Sequence, residues 1–172
     1  MGRICYSVAM SLDGYIAGPS GEYDWIPRDP DADFAKIWEQ YDTFLMGRKT
    51  YEIAVAGMGA QTFEGYKTVV VSRTMDPALY PTISIVSEPT CELMEALRLT
   101  ASKDIWLFGG AQLFRSLLEI NAVDAVEVSV MPVLIGDGVK LMPPPYDHRR
   151  LRLTSHRVHQ SGIVHLNYDV VP

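Results

Sequence analysis

Three clusters of residues in this chain are of the kind that holds phosphate. Gly47-Arg48-Lys49-Thr50 follows the apolar run Leu45-Met46, Ser72-Arg73-Thr74 follows Val69-Val70-Val71, and Gly109-Gly110-Ala111-Gln112-Leu113 follows Trp106-Leu107-Phe108. Each stands at the end of a strand pattern, and the first and third run on into a helical one. A helix start carries N–H groups without intrahelical partners and the positive end of the helix dipole, so it attracts anions. Glycine lets backbone approach a ligand closely, Arg48, Lys49 and Arg73 supply cations, and a Ser-Arg pair at a strand's carboxyl end suits a monoester phosphate such as the 2′-phosphate of NADPH. Singly, each cluster also reads as ordinary turn chemistry: a solvated first helical turn, a turn with an exposed arginine, a tight strand-to-helix corner. Their threefold recurrence points to an extended, multiply phosphorylated ligand, a dinucleotide.

Proton chemistry has two candidates, Asp31 and Asp33, at the start of a helical pattern that carries Phe34, Ile37, Trp38 and Tyr41. A carboxyl group facing an apolar pocket lined by residues such as Phe34 and Phe108 has a raised pKa and can help deliver a proton to a reducible ring. The same two residues also suit the plain task of stabilising a helix N-terminus. The four histidines, His148, His156, His159 and His165, lie in the C-terminal region, and none pairs with another at a metal-ligand spacing backed by cysteine. His156 and His159 are placed on opposite faces of one strand. No metal site is expected, and neither a Gly-x-Ser-x-Gly elbow nor a P-loop is present.

These groups need a scaffold, and the bulk numbers bound it. With 172 residues, 48% of them hydrophobic, the chain fits one domain with a real core. A net charge of -6 argues against nucleic-acid or polybasic membrane binding, so an anionic ligand must be held by a few local cations. Two cysteines, Cys5 and Cys91, are too few for a disulfide framework and are expected to be reduced. No stretch has the length and apolarity to cross a bilayer and no signal-type run opens the chain, which makes the cytoplasm the expected compartment.

Strands are predicted at residues 2–10, 43–46, 67–72, 83–86 and 105–108, with helices at 31–41, 48–55, 90–100 and 111–120. Gly57 and Gly59 are expected to stop the second helix. A Gly- and Pro-rich loop, residues 18–30, precedes the first helix and is long enough to be functional. Alternation of strand and helix implies a largely parallel sheet. After Asn121 the pattern changes to consecutive strands at 125–131, 151–157 and 164–171, which adds an antiparallel edge.

The segments Ala9 to Ala17, Leu45 to Glu52, Val70 to Thr74, Leu107 to Leu113 and Pro132-Val133-Leu134-Ile135-Gly136-Asp137-Gly138 together resemble the dihydrofolate reductase-like superfamily. The resemblance is to its branch related to the C-terminal reductase domain of bacterial riboflavin biosynthesis. It implies an α/β fold over residues 1–172, with a central, mostly parallel eight-stranded sheet, flanking helices and NADPH over the strand ends. Ala9 and Ile16 would then lie on the nicotinamide side, Gly47, Arg48, Lys49, Thr50 and Gly109 to Leu113 at the pyrophosphate and riboses, and Ser72, Arg73 and Thr74 at the 2′-phosphate. Gly109-Gly110 resembles the family's cis peptide. Asp33 falls near the substrate carboxylate of dihydrofolate reductases, with Asp31 as the alternative, and Tyr15, Phe34, Tyr51 and Phe108 are assigned to the substrate's side.

One departure bears on specificity. Riboflavin-type reductases usually carry a lysine after Leu-Asp-Gly, whereas this chain has Tyr15, which cannot offer a cation to a phosphorylated ribosyl-pyrimidine. The resemblance therefore implies an NADPH-dependent reduction of a small pterin- or pyrimidine-like heterocycle. A second reading is a nucleotide- or ligand-binding protein of the same fold that has lost catalysis. The family commonly forms homodimers, and the apolar segment 125–134 is either such an interface or a buried strand.

Overall fold

The computed structural model describes residues 1–27, 29, 34–145 and 147–171, with Phe34 described by its backbone. Asp31 and Asp33 lie outside the described residues. The elements in chain order are β1 (Ile4–Ser11), β2 (Tyr15–Ala17), α1 (Phe34–Trp38), β3 (Tyr41–Gly47), α2 (Arg48–Met58), β4 (Lys67–Val71), β5 (Ser84–Val86), α3 (Cys91–Thr100), β6 (Asp104–Gly109), α4 (Ala111–Glu119), β7 (Ala125–Met131), β8 (Val139–Lys140), β9 (Leu151–Val158) and β10 (Val164–Val170). Eight strands form one sheet in the order β5-β4-β3-β6-β1-β7-β10-β9, and β2 pairs with β8 in a separate ribbon. From β5 to β7 all neighbours are parallel, and β10 runs antiparallel to both β7 and β9.

Parallel strands covered on both faces need unbroken apolar runs, and Val69-Val70 and Ile105-Trp106-Leu107 supply them. One face carries Ile4, Tyr6, Leu45, Ile105, Leu107, Val126 and Val128 against Met94 and Leu97 of α3 and Leu113, Phe114 and Leu117 of α4. Tyr6 stacks on Phe114 with ring centroids 3.9 Å apart. Side chains of this kind, fully buried, each contribute about 1.5–3 kcal/mol. The other face is aromatic: Trp38, Phe44, Phe63, Tyr66 and Trp106 meet with centroids 4.7 to 6.1 Å apart.

Several elements differ from their sequence reading. Tyr41 opens β3 and does not end α1. Its ring still joins the aromatic layer, 4.8 Å from Trp106, so the same burial is reached from a strand. Gly57 is inside α2, which stops at Gly59, where φ is 84°. His159 lies past the end of β9, so it does not share a strand with His156. The β2–β8 ribbon has no counterpart in the sequence reading; it is tied by Asp13, which accepts hydrogen bonds from the Gly136 and Ile135 N–H groups at 2.7 and 3.2 Å. Segment 125–131 is an interior strand between β1 and β10, and it is β9 at the sheet edge whose eight residues are all exposed.

Candidate active site

The three phosphate-type clusters emerge at one edge of the sheet. β4, β3 and β6 are consecutive parallel neighbours, so their carboxyl ends, at Val71, Gly47 and Gly109, lie side by side, with β1 next in line. Three strand spacings separate β4 from β1, roughly 14 Å of track. Gly47 and Gly110 are near neighbours: a Cβ built on Gly47 would stand 3.9 Å from the Gly110 nitrogen. A Cβ on Gly110 would meet Thr50 Oγ1 at 3.2 Å, and one on Gly109 would lie 3.5 Å from it. The sequence's first and third clusters thus share a contact, and the Gly109-Gly110 peptide joining strand to helix is cis.

Both helices that start here are bare. α2 is preceded by Gly47 and α4 by Gly110, neither start has a side-chain cap, and neither first turn holds an acidic residue. α2 even places Arg48 and Lys49 in its first turn, against the positive end of its own dipole. Arg48 is partly compensated by Glu52 at 3.1 Å, while exposed Lys49 has no such pair among the described residues. Of the residues that open α4, Ala111 and Leu113 turn into the core and Gln112 is exposed. At the end of β4 the Ser72 hydroxyl accepts from the N–H groups of Thr74 and Met75 at 3.2 and 3.1 Å, which shapes the turn. Arg73 and Thr74 are exposed on that turn, and Arg73 makes no ion pair among the described residues.

Beside this track a partly uncovered stretch of the sheet forms the floor of a candidate cleft. β1 is a central strand, yet Ser7 to Met10 are only half-buried while Ile4 to Tyr6 are fully covered. Ala9 belongs to the open half, and Ile16, also half-buried, is carried over its end by the β2–β8 ribbon. Tyr15 is held in that ribbon by its own N–H to Ser11 Oγ at 3.0 Å. Phe108 is half-buried on β6, with Trp106 5.1 Å and Trp38 6.4 Å away. Tyr51, by contrast, is turned into the core beneath α2, near Phe63 and Tyr80. Burial, with Tyr80 beside it, raises the pKa of its phenol.

Sequence reasoning did not find the polar side of the cleft. In the β1–β7 register Ser7 pairs with Glu127 and Ala9 with Ser129, and in the β7–β10 register Ser129 pairs with His165. Tyr41 donates to Glu127 Oε2 at 3.0 Å, and Ser129 Oγ stands 2.9 Å from His165 Nδ1. The available signal was the period of two in Glu127-x-Ser129 within an otherwise apolar strand. Asp29, in the loop, stands 2.9 Å from His159 and accepts from Ser161 at 3.1 Å, which ties that loop to the β9–β10 turn. A cavity of about 390 Å³ opens at the opposite edge of the sheet, but its charged groups, Arg3, Arg152, Asp169 and Asp124, are engaged in ion pairs of 2.6 to 3.0 Å. Among the described residues no group of His, Cys, Asp and Glu has the arrangement to hold a metal, and no helix is long and apolar enough to cross a membrane.

This layout matches a known family over nearly its whole length: the RibD C-terminal domain model covers residues 3–165. The chain belongs to the RibD C-terminal domain family. YyaP of Bacillus subtilis, an uncharacterized protein, is 30% identical over 96% of this chain and 94% of its own length. A solved Shewanella structure named for riboflavin biosynthesis superposes over the whole of both chains with a TM-score of 0.83 at 22% identity. Dihydrofolate reductase from Enterococcus faecalis, complexed with NADP(H), superposes over 99% of this chain and 98% of its own with a TM-score of 0.69 at 19% identity. At these identities the structural likeness is one of fold, and it is the dihydrofolate reductase-like fold expected from the sequence. Membership in the RibD C-terminal domain family supports a reductase-type role.

Proposed function

We propose that this protein is an NADPH-dependent reductase of a small planar heterocycle, pterin- or pyrimidine-like, acting as a single domain in the cytoplasm. One observation carries the reading. Two helix starts without side-chain caps, one of them with cations set against its own dipole, meet at the strand ends beside an exposed arginine. Such local conflicts are stable when an anion completes them, and a dinucleotide has anionic groups at that spacing. The α2 start with Gly47, Arg48, Lys49 and Thr50, and the α4 start with Gly109 to Leu113, would hold the pyrophosphate and riboses. Ser72, Arg73 and Thr74 would hold the 2′-phosphate, and Ala9 and Ile16 would border the nicotinamide. When bound, the nicotinamide supplies a hydride.

The chain's own residues do the rest. The half-open floor of β1 and the face of Phe108 orient a flat ring and exclude water from one side of it. Asp31 or Asp33 is the assigned source of the proton, with Tyr15 and Phe34 on the substrate's side. A second copy of the chain is the proposed partner, seated on β9 and β10: Leu151, Leu153 and Val158 are 43%, 50% and 68% exposed on one sheet face, continuous with Val164 and Leu166. An apolar sheet edge left open to water is otherwise an aggregation hazard.

The test is titration of the purified protein with NADPH and with NADH, followed by tryptophan fluorescence. NADPH is expected to bind at least tenfold more tightly, and R73A to remove that preference by weakening NADPH alone. Equal affinity for both nucleotides, or equal loss in R73A, would remove Arg73 from the phosphate role.

A further inference from the structure

Strand pairing places Ser7, Glu127 and Asn167 in one row across β1, β7 and β10, and Ala9, Ser129 and His165 in the next. Residues in register share a sheet face, so both rows lie on the side of Tyr41, Trp106 and Phe108. This half of that face is polar, whereas the half over β3 and β6 is aromatic. A planar ligand standing on β1 therefore meets aromatic rings on one side and the edge of β7 on the other.

Glu127 is half-buried, and Tyr41 is its hydrogen-bond donor among the described residues, at Oε2. Tyr41 itself is 2% exposed, so its hydroxyl is held in place by packing against Trp106. A carboxylate has about four acceptor sites, and one phenol fills one of them. The remaining acceptor sites belong to a half-buried carboxylate on the face of Trp106 and Phe108, and an ionised carboxylate favours charge-assisted donors. Asn167, its neighbour in the same row, donates to Ser155 at 2.7 Å, while its buried Oδ1 has no donor among the described residues. The row thus leaves acceptor sites open at Glu127 and at Asn167 Oδ1, while its donors are engaged, the Ser7 hydroxyl with Tyr41 and the Asn167 amide with Ser155. About 7 Å further along β7, two residues on, the Ser129–His165 pair adds a second polar contact.

We propose that Glu127 is a substrate-contacting carboxylate, that Tyr41 is its positioning residue, and that the ligand is a nitrogen heterocycle presenting two adjacent N–H donors to Glu127. This rests on the cleft assigned above. It selects rings with an amino group beside a ring N–H, which pair with both carboxylate oxygens as a guanidinium does. It rejects rings that carry carbonyl oxygen or negative charge on that edge, because each would set acceptor against acceptor. Burial, with the neighbouring Glu127 carboxylate, raises the pKa of Tyr41, so its hydroxyl stays protonated and keeps donating.

The experiment titrates the full chain with 2,4-diaminopyrimidine and with uracil, reading tryptophan fluorescence, alongside NADPH as a separate arm. The expected result is at least tenfold tighter binding of diaminopyrimidine than of uracil, lost in E127Q with NADPH affinity unchanged within twofold. In Y41F the carboxylate loses the donor that holds it at 3.0 Å, so the preference for diaminopyrimidine over uracil is expected to fall severalfold while NADPH affinity stays within twofold of the parent. Folded E127Q that binds diaminopyrimidine like the parent, or a parent that does not discriminate the two rings, overturns the proposal. Glu127-dependent ring binding in a protein that binds no NADPH would keep this inference and remove the reductase reading.

Discussion

Helices α3 and α4 start at the same edge of the sheet and both bury an apolar face, but they begin in opposite ways. α3 is opened by Thr90, whose hydroxyl accepts from the Leu93 N–H at 3.2 Å, and Glu92 sits in its first turn. Those are the residues a helix start wants when nothing else will satisfy it. α4, and α2 with it, is opened by glycine, with neither cap nor acid. α3 starts after the edge strand β5, and the bare starts follow the central strands β3 and β6. Capping is thus complete at the periphery and withheld where the three glycine- and arginine-bearing turns converge. The difference teaches that the bare ends are a feature of place, not of a sequence poor in capping residues.

The largest expected effect comes from G109V. Gly109 has φ of 132°, a region that a side chain enters at a cost of order 1–3 kcal/mol. Thermal unfolding should fall by several degrees, and NADPH affinity by more than tenfold, because the turn that joins β6 to α4 must move. G47D separates the two halves of the comparison more sharply. Gly47 has extended backbone, φ −80° and ψ 161°, and a new Cβ meets nothing closer than 3.9 Å, so the cap fits. It should raise stability by a few tenths of a kcal/mol and, on the proposed function, still weaken NADPH at least tenfold, by putting a carboxylate at the proposed phosphate position. A stabilised variant that binds NADPH normally would mean that the bare start has no ligand role.

R73A comes next, with NADPH weakened by about tenfold or more, in line with 1.5–3 kcal/mol for a charge-assisted hydrogen bond, and NADH unchanged. T90A is the control on the capped side. It should lower stability by about 1 kcal/mol in denaturant unfolding and leave nucleotide binding untouched.

The smallest effect is one of pH. Asp42, beside β6, accepts from Ser102 N and Oγ at 2.7 Å each, from Lys103 N at 3.0 Å and from Thr43 Oγ1 at 2.9 Å. Burial works to raise its pKa, and these hydrogen bonds outweigh it and hold the carboxyl below its ordinary value. A lowered folded-state pKa gives stability that is present above the unfolded value, about 3.9, and is lost as pH falls through the folded one. D42N should therefore cost about 1 kcal/mol at neutral pH, and the gap to the parent should close below about pH 4.

The fold was legible because its signals are local and redundant. Val69-Val70-Val71 can be little other than a buried strand, Thr90 marks a helix start, and the switch after Asn121 from alternation to consecutive strands announces the antiparallel edge. Tyr41 was misread because an aromatic at helical spacing from Ile37 and Trp38 serves the same cluster equally well from the following strand. The places of the three glycine- and arginine-bearing turns were legible for the same reason as the strands, since each follows directly on an apolar run. The Tyr41–Glu127 contact was not legible: its residues are 86 apart and meet only once β3, β6, β1 and β7 are side by side. Nor could the sequence choose between its two readings of segment 125–134, which depends on whether β10 returns to cover β7.

The position of β1 between β6 and β7 has a consequence for how the chain assembles in time. Its residues pair with Ile105 to Leu107 on one side and with Ala125 to Met131 on the other, about a hundred positions away in the chain. During synthesis the first strand leaves the ribosome with neither neighbour in existence. At about 5–20 residues per second, many seconds pass before β7 appears. Until then β3, β4 and β5 can pair among themselves, and Ile4, Tyr6 and Val8 must wait exposed. The sheet therefore closes late, around its oldest strand, and its folding rate is set by that long closure more than by the stability of any one helix.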